Sequence, residues 1–532
     1  MRRFVLGTCT LVLATLSTPV LADQVTEWNA ELLDAIRDTR TPPPRATRAM
    51  AIVHVSIHDA ASSLDGRYHT YADHGAAPAG EVSLEAAIAA AGATALDHLY
   101  PGTADALLDA QLGVIPDGAA KDAGIAWGTE VAEHIIALRE NDGSALALSY
   151  PIFGGVWWWS PTPPANAAAL MPQWPYVTPW TMTSGSNFRT AGPPPTPAER
   201  AYHQSFIEVK RLGRATGSQR TEEQTEIAHF WDDGAGTNTP PGHWMEIAQG
   251  FVADHHFDLV DSARTMALLA MTVADAAIVA WDNKFHYHHW RPLTAIREAG
   301  NDGNDNTSPD AEWSSLLTTP PFPAYTSGHS TFSGSSARIL GHIFGDASPF
   351  EAGSDGTPGV TRAFDSLSQA AEEAGQSRIY GGIHWQYDNR DGLASGRALA
   401  DQVIANFLGP VNPLPAPPCG TSGSTLCLGN RFALEVDWRT GADGPVGIGS
   451  ATALNATSGV FSFFDEDNAE LLVKVLDGCG VNGHWWVFAA AATDVEYILR
   501  VTDTNTTTTR TFFNALGSAG RATTEIEAFP CD

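Results

Sequence analysis

Pro320-Pro321-Phe322-Pro323-Ala324-Tyr325-Thr326-Ser327-Gly328-His329 leads into the small-residue run from Ser330 to Ile343. Proline-rich chain running into such a stretch predicts a helix that starts near Ser327, with that serine as its cap. The exposed amides of the first turn form a seat for an anion, and Gly328 lets the backbone approach it closely. His329 stands at the mouth of that seat as a candidate acid or base. Taken alone, the fragment is also consistent with an ordinary capped helix beside a histidine.

Two further clusters ask for the same ligand. Helix-compatible sequence runs from Ser262 through Trp290, and on one continuous helix Lys284 and Arg291, seven positions apart, would share a face. Arg291 offers a planar fork for two oxygens and Lys284 a mobile point charge. Downstream, Ser377-Arg378 ends a helical pattern, Gly381-Gly382 breaks it, and His384 opens the next helix with Asp388 one turn later. A carboxylate four residues on can orient the imidazole and fix its tautomer, leaving one ring nitrogen for a metal or phosphorus centre. Each cluster alone reads as a solvated face or a structural histidine. Together they supply three cations, a hydroxyl and two imidazoles, the inventory that holds a tetrahedral oxyanion.

Composition sets the frame. At 532 residues, 43% hydrophobic and 17% charged, the chain can bury a large core and divide into domains. Ala- and Leu-rich helical patterns recur at 46–61, 84–99, 119–139, 262–280 and 368–374, so this part is expected to be mainly α. Alternating runs at 432–438, 459–464, 471–476, 485–490, 495–502 and 510–513 predict a small all-β, sandwich-like tail. The expected organisation is a signal peptide over 1–22, a helical catalytic domain over 23–408, a Pro-rich linker over 409–418 and a β-rich domain over 419–532.

Arg2 and Arg3, the apolar stretch Phe4 to Leu16 and the small residues ending at Ala22 predict export to the periplasm or medium. No later segment is expected to span a membrane. Cys9 would leave with the leader, and Cys419, Cys427, Cys479 and Cys531 suggest two disulfides. Four cysteines permit three pairings; spacing favours Cys419 with Cys427 and Cys479 with Cys531. A formal net charge of -30 argues against nucleic acid or an anionic membrane as partner.

The Trp- and Pro-rich stretch from Ser149 to Pro197 reads as a wall of the active site, a crossover between helical halves, or a surface arm packing its indoles on the core. His286, His288 and His289 lie between Lys284 and Arg291 but are left out of the site, because the neighbouring cations would repel a metal ion. The acidic loops Asp302 to Asp310 and Asp465 to Glu470 lack an EF-hand spacing and read as solvated turns.

Carrying Lys284, Arg291-Pro292, Ser327-Gly328-His329, Ser377-Arg378, Gly382, His384 and Asp388 in this order, the sequence resembles the vanadium-dependent haloperoxidases and the related phosphatidic-acid-phosphatase type 2 superfamily. The resemblance covers the chain from its mature N-terminus to about Leu408 and implies an α-helical bundle; the tail lies outside it. It implies that vanadate is the cofactor, that His384 binds it axially, and that Lys284, Arg291, Ser327, Gly328 and Arg378 hold its oxygens. His329 would be the acid–base group, Lys284 would polarise peroxide, and Asp233 would orient the second arginine. Phe322 and Trp281 resemble the aromatic halide-pocket positions of chloroperoxidase-type members, whereas Thr326 stands where the family usually has proline.

Hydrogen peroxide, a halide and an organic acceptor would then be the substrates, and a hypohalous species the product. Phosphate can occupy the same site, so an acid phosphatase working through a phosphohistidine at His384 is the alternative enzyme. A non-catalytic exported binding protein is the third reading.

Overall fold

The computed structural model describes residues 23–189, 192–255, 257–411, 419–440, 445–465, 468–514, 516, 520 and 522–531. The expected leader, most of the linker and His256 lie outside the described residues.

At the centre stands the helix Leu259–Tyr287. Asp258 starts it by accepting from the amides of Val260 and Asp261, and nearly every side chain from Val260 to Lys284 is buried. A helix that is apolar all round belongs in a core, and this one packs against Pro43–Asp65, Thr239–Asp254, Gly328–Phe344 and Gln386–Asn406. Among the described residues it is the one helix long and apolar enough to cross a membrane by length and composition alone, a run the sequence reading did not single out. Its best 18-residue window has a mean hydropathy of 1.5, yet 94% of that window is buried inside the protein.

Small residues set the closest approach in the bundle. The helices Gly328–Phe344 and Gln386–Asn406 cross so tightly that a Cβ on Gly396 would sit 2.2 Å from the Thr331 carbonyl oxygen, and one on Gly334 2.5 Å from that of Leu393. This contact brings the Ser327–His329 and His384–Asp388 clusters together. Ser327 N donates to the Asp388 carbonyl at 3.0 Å and Ser330 Oγ to Asn389 Oδ1 at 2.9 Å.

Leu84–Leu99 and Ala119–Arg139 coincide with two of the periodic runs. A hairpin of Phe350–Gly353 against Thr361–Phe364 interrupts the helical part. The Trp-rich stretch packs inward: Trp159, Trp174 and Trp180 are buried, Trp159 N donates to the His288 carbonyl at 2.7 Å and Leu170 N to that of Pro321 at 2.9 Å.

After the helix Gln386–Asn406 the chain turns to β structure. One five-stranded antiparallel sheet runs Thr508–Asn514, Glu496–Asp503, Phe432–Arg439, Leu426–Leu428, with Val446–Ile448 also on Phe432–Arg439. The other runs Thr523–Pro530, His484–Ala491, Leu471–Gly478, Ser458–Ser462, Ser450–Asn455. Both contribute to one apolar cluster that includes Leu434, Val436, Val473, Val487 and Leu499. Disulfides join Cys419 to Cys427 and Cys479 to Cys531.

Candidate active site

Lys284, Arg291, Ser327, Arg378, His384 and Asp388 are each at most 2% exposed. The expectation that Lys284 and Arg291 share one helix is corrected. The helix stops at Tyr287, His288 caps it in the left-handed conformation (φ 52°), and Arg291 is the N-cap of a new helix, Pro292–Arg297. The chain turns, and the turn rather than helical periodicity aims both cations at one place. They flank the ring of Phe322, with Lys284 Nζ 5.1 Å and Arg291 Cζ 4.9 Å from its centroid. The Trp281 ring lies 4.9 Å from Phe322, so the two aromatic positions form a wall beside the cations.

Backbone carbonyls hold the cations. Lys284 Nζ donates to Ala324 O at 3.0 Å and to Thr326 O. Arg291 Nε donates to Phe322 O and Nη1 to Ile383 O, each at 2.8 Å. Nη1 also reaches His384 Nε2 at 3.0 Å.

His384 stands two residues before the helix Gln386–Asn406 rather than opening it, and Asp388 lies in its first turn. Asp388 Oδ2 accepts from His384 Nδ1 at 2.8 Å. A guanidinium only donates and this carboxylate only accepts, so the proton sits on Nδ1 and Nε2 presents its lone pair.

Arg378 ends the helix Leu367–Tyr380. Its Nη1 donates to Trp231 O, and its Nη2 lies 3.6 Å from Asp232 Oδ1. The carboxylate nearest this arginine is therefore Asp232, whereas Asp233 faces His243 Nδ1 at 3.2 Å. His329 is half-buried and its Nε2 donates to Asp232 O at 3.3 Å. One residue that sequence reasoning passed over thus contacts both Arg378 and His329.

Ser327 caps the helix Gly328–Phe344, its hydroxyl accepting from Ser330 N at 3.3 Å. The amides of Gly328 and His329 then have no acceptor within the helix. The three histidines left out go elsewhere: His286 is exposed, His288 Nδ1 meets the Tyr150 hydroxyl at 2.8 Å, and His289 Nε2 meets that of Tyr387 at 2.7 Å.

The electrostatics ask for an anion. Burial, reinforced by Arg291, pushes the Lys284 ammonium well below its usual pKa. Burial pushes Arg291 down to about 9 and lowers Arg378, and it drives His329 and His384 well below the ordinary imidazole value, with the neighbouring cations adding to the effect. Asp388 is raised, again by burial first. Arg291 Nη2 and Arg378 Nε are buried N–H groups without a hydrogen-bond partner. A multiply charged oxyanion fits this donor set, because it would satisfy those groups and offset the excess of buried positive charge.

The arrangement is a buried, cation-lined site within a helical bundle whose free N–H groups suit an oxyanion. Residues 264–412 match the family described as VCPO second helical-bundle domain. Over 475 residues the chain is 24% identical to the vanadium chloroperoxidase of Curvularia inaequalis, spanning 68% of this chain and 78% of that protein. The crystal structure of a bacterial vanadium-dependent iodoperoxidase superposes with a TM-score of 0.66 at 27% identity, covering 74% of this chain and 99% of the other. An apo-type bacterial vanadium-dependent chloroperoxidase shares the fold at a TM-score of 0.56 and 18% identity, covering 68% and 92%. The chain is a relative of the vanadium-dependent haloperoxidases, as its three motifs imply.

Proposed function

We propose that this protein is a vanadate-dependent haloperoxidase that uses hydrogen peroxide to oxidise halide to a hypohalous species, which halogenates organic acceptors. The observation that carries the reading is the unprotonated Nε2 of His384, its ring held by Asp388 through Nδ1, with Arg291 Nη1 3.0 Å from Nε2 and the charges of Lys284 and Arg378 acting on the same imidazole. Vanadate, when bound, supplies the Lewis-acid centre that activates peroxide.

The chain's own residues do the rest. His384 Nε2 would hold the anion through its central atom, and Lys284, Arg291, Ser327, Gly328 and Arg378 would bind its oxygens. Low pKa values keep His329 and His384 neutral at pH 7, so His329 can take a proton from incoming peroxide and return it later. Lys284 would place positive charge beside the bound peroxide, and Trp281 and Phe322, whose rings lie 4.9 Å apart, would wall the halide approach and exclude water. The disulfides suit an oxidising compartment, which supports export. We further read residues 23–408 as the catalytic domain and 419–532 as a sandwich-like appendage.

Protein reconstituted with orthovanadate should halogenate a phenol when given peroxide with iodide, bromide or chloride. Cleavage of a phosphate monoester with no halogenation in any halide would replace the reading with that of a phosphatase.

A further inference from the structure

Where the β-rich part meets the bundle, a second group of cations gathers, made of residues that take no part in the buried site. The end of the helix Gly328–Phe344 packs on the strand Thr508–Asn514 so closely that a Cβ on Gly345 would sit 3.3 Å from Phe513 N, and the Phe513 ring stands 4.1 Å from that of His255. Arg338 and His342, four residues apart, share one face of that helix. Arg510 comes from the strand and Arg264 from the central helix Leu259–Tyr287. All four side chains are half-buried, and the three guanidiniums act on the His342 ring in the same direction, Arg264 most strongly.

These arginines use little of their hydrogen-bonding capacity. Arg264 Nε donates to Leu408 O, Arg510 Nε to Ala528 O and Arg338 Nε to Asp401 Oδ1, each at 2.7 Å. Among the described residues, the Nη groups of all three make no hydrogen bond, and neither Arg264 nor Arg510 forms an ion pair. Asp401 is 55% exposed, so solvent screens the one pair that exists. The other nearby carboxylates are engaged elsewhere. Asp261, beside Arg264, accepts from the Tyr68 hydroxyl at 2.6 Å and from Arg67 at 3.3 Å, and Glu525, beside Arg510, accepts from Glu527 N at 3.0 Å. Burial lowers the pKa of Arg264 and brings that of Arg510 down to about 10, with Arg338 adding to the second effect.

An independent feature points into the cluster. His342 Nδ1 is buried and has no hydrogen-bond partner. A lone pair there would draw an N–H from the surrounding donors, and none is in reach; an N–H there asks for an acceptor, as the free Nη groups do. What the cluster lacks is a group with several acceptor oxygens.

We propose that Arg264, Arg338, His342 and Arg510 form a binding site for a free tetrahedral oxyanion of the phosphate–sulfate class, and that the bound ion ties the β-rich part to the bundle. Guanidinium forks take two oxygens of such an ion at a time, a match that a spherical halide does not offer. Because Arg510 belongs to the β-rich part and the other three to the helical part, the ion is shared between them. In a chain of formal net charge -30, a local concentration of cations is what admits a dianion.

The buried site beside His384 also suits an oxyanion, so the test uses the full chain carrying His384→Ala. Calorimetric titration with inorganic phosphate at pH 7 should show saturable binding, with sulfate comparable and chloride at matched ionic strength weaker by about tenfold or more. Arg510→Gln should weaken phosphate by about tenfold. Asp401→Asn removes the carboxylate that competes for Arg338 and should tighten phosphate by about threefold, a gain that misfolding does not produce. In nitrogen-15 spectra the His342 Nδ1 resonance should move when phosphate is added and should stay in place in Arg510→Gln. No saturable phosphate binding, chloride binding as tight as phosphate, or an affinity unchanged by either substitution would overturn the proposal.

Discussion

His384 Nδ1 and Asp388 Oδ2 lie 2.8 Å apart, and this contact decides which face of the imidazole meets a ligand. With the proton fixed on Nδ1, the lone pair on Nε2 points toward the side where Arg291 approaches. Asp388→Ala frees the ring to change tautomer, and the affinity for orthovanadate is expected to fall by about 10- to 100-fold. Equilibrium dialysis on the variant, with circular dichroism to confirm the fold, checks this.

Asp232 and Asp233 should separate by function. Asp232→Ala removes the carboxylate nearest Arg378, and because that group is 42% exposed the effect is modest, about fivefold weaker vanadate binding. Asp233→Ala should leave vanadate affinity near that of the parent chain and act on His243 instead. The same dialysis measurement on the two variants distinguishes them.

That distinction also marks where the sequence stops being legible. The Ser327 cap, the helix end at Arg378 and the His384–Asp388 pair follow from local chemistry, because caps and four-residue spacings are set by neighbours in the chain. The join between Lys284 and Arg291 did not, since His288 takes a left-handed conformation that nothing in its own residue type requires. Asp232 and Asp233 differ by one position, and only the packing of Trp231 and His243 chooses which of them meets Arg378. The strands Leu426–Leu428, Val446–Ile448, Ser450–Asn455 and Thr523–Pro530 carry too little alternation to stand out before their partners are known.

Gly382 sits at φ +79° between Arg378 and His384, and a Cβ there would lie 2.2 Å from the Gly213 carbonyl oxygen. Gly382→Ala should cost about 1–3 kcal/mol and shift the spacing of the two site residues. A urea midpoint that falls together with vanadate affinity is the expected result.

Acid should destabilise the fold through buried histidines. Burial pushes His54 and His289 down to about 3. In the unfolded chain they titrate near 6.5, so below that pH the unfolded state binds protons that the folded state refuses. Their contribution is complete above pH 6.5 and is lost as pH falls toward 3, at about 1.4 kcal/mol per pH unit for each ring. Urea midpoints measured from neutral to mildly acidic pH should show this slope, and His54→Gln should flatten it.

Cys479 and Cys531 close a loop with a sequence separation of 52. Replacing both with serine should destabilise the β-rich part by about 4 kcal/mol through the loop entropy regained on unfolding. Two calorimetric transitions, with only one moving, would report it.

The central claim is that Lys284, Arg291, Arg378 and His384 jointly hold one oxyanion. Titration of the purified chain with orthovanadate, followed by vanadium NMR, addresses it most directly. The account predicts saturable binding that phosphate displaces and that His384→Ala abolishes. Binding by His384→Ala equal to that of the parent chain, or none by either, would contradict it.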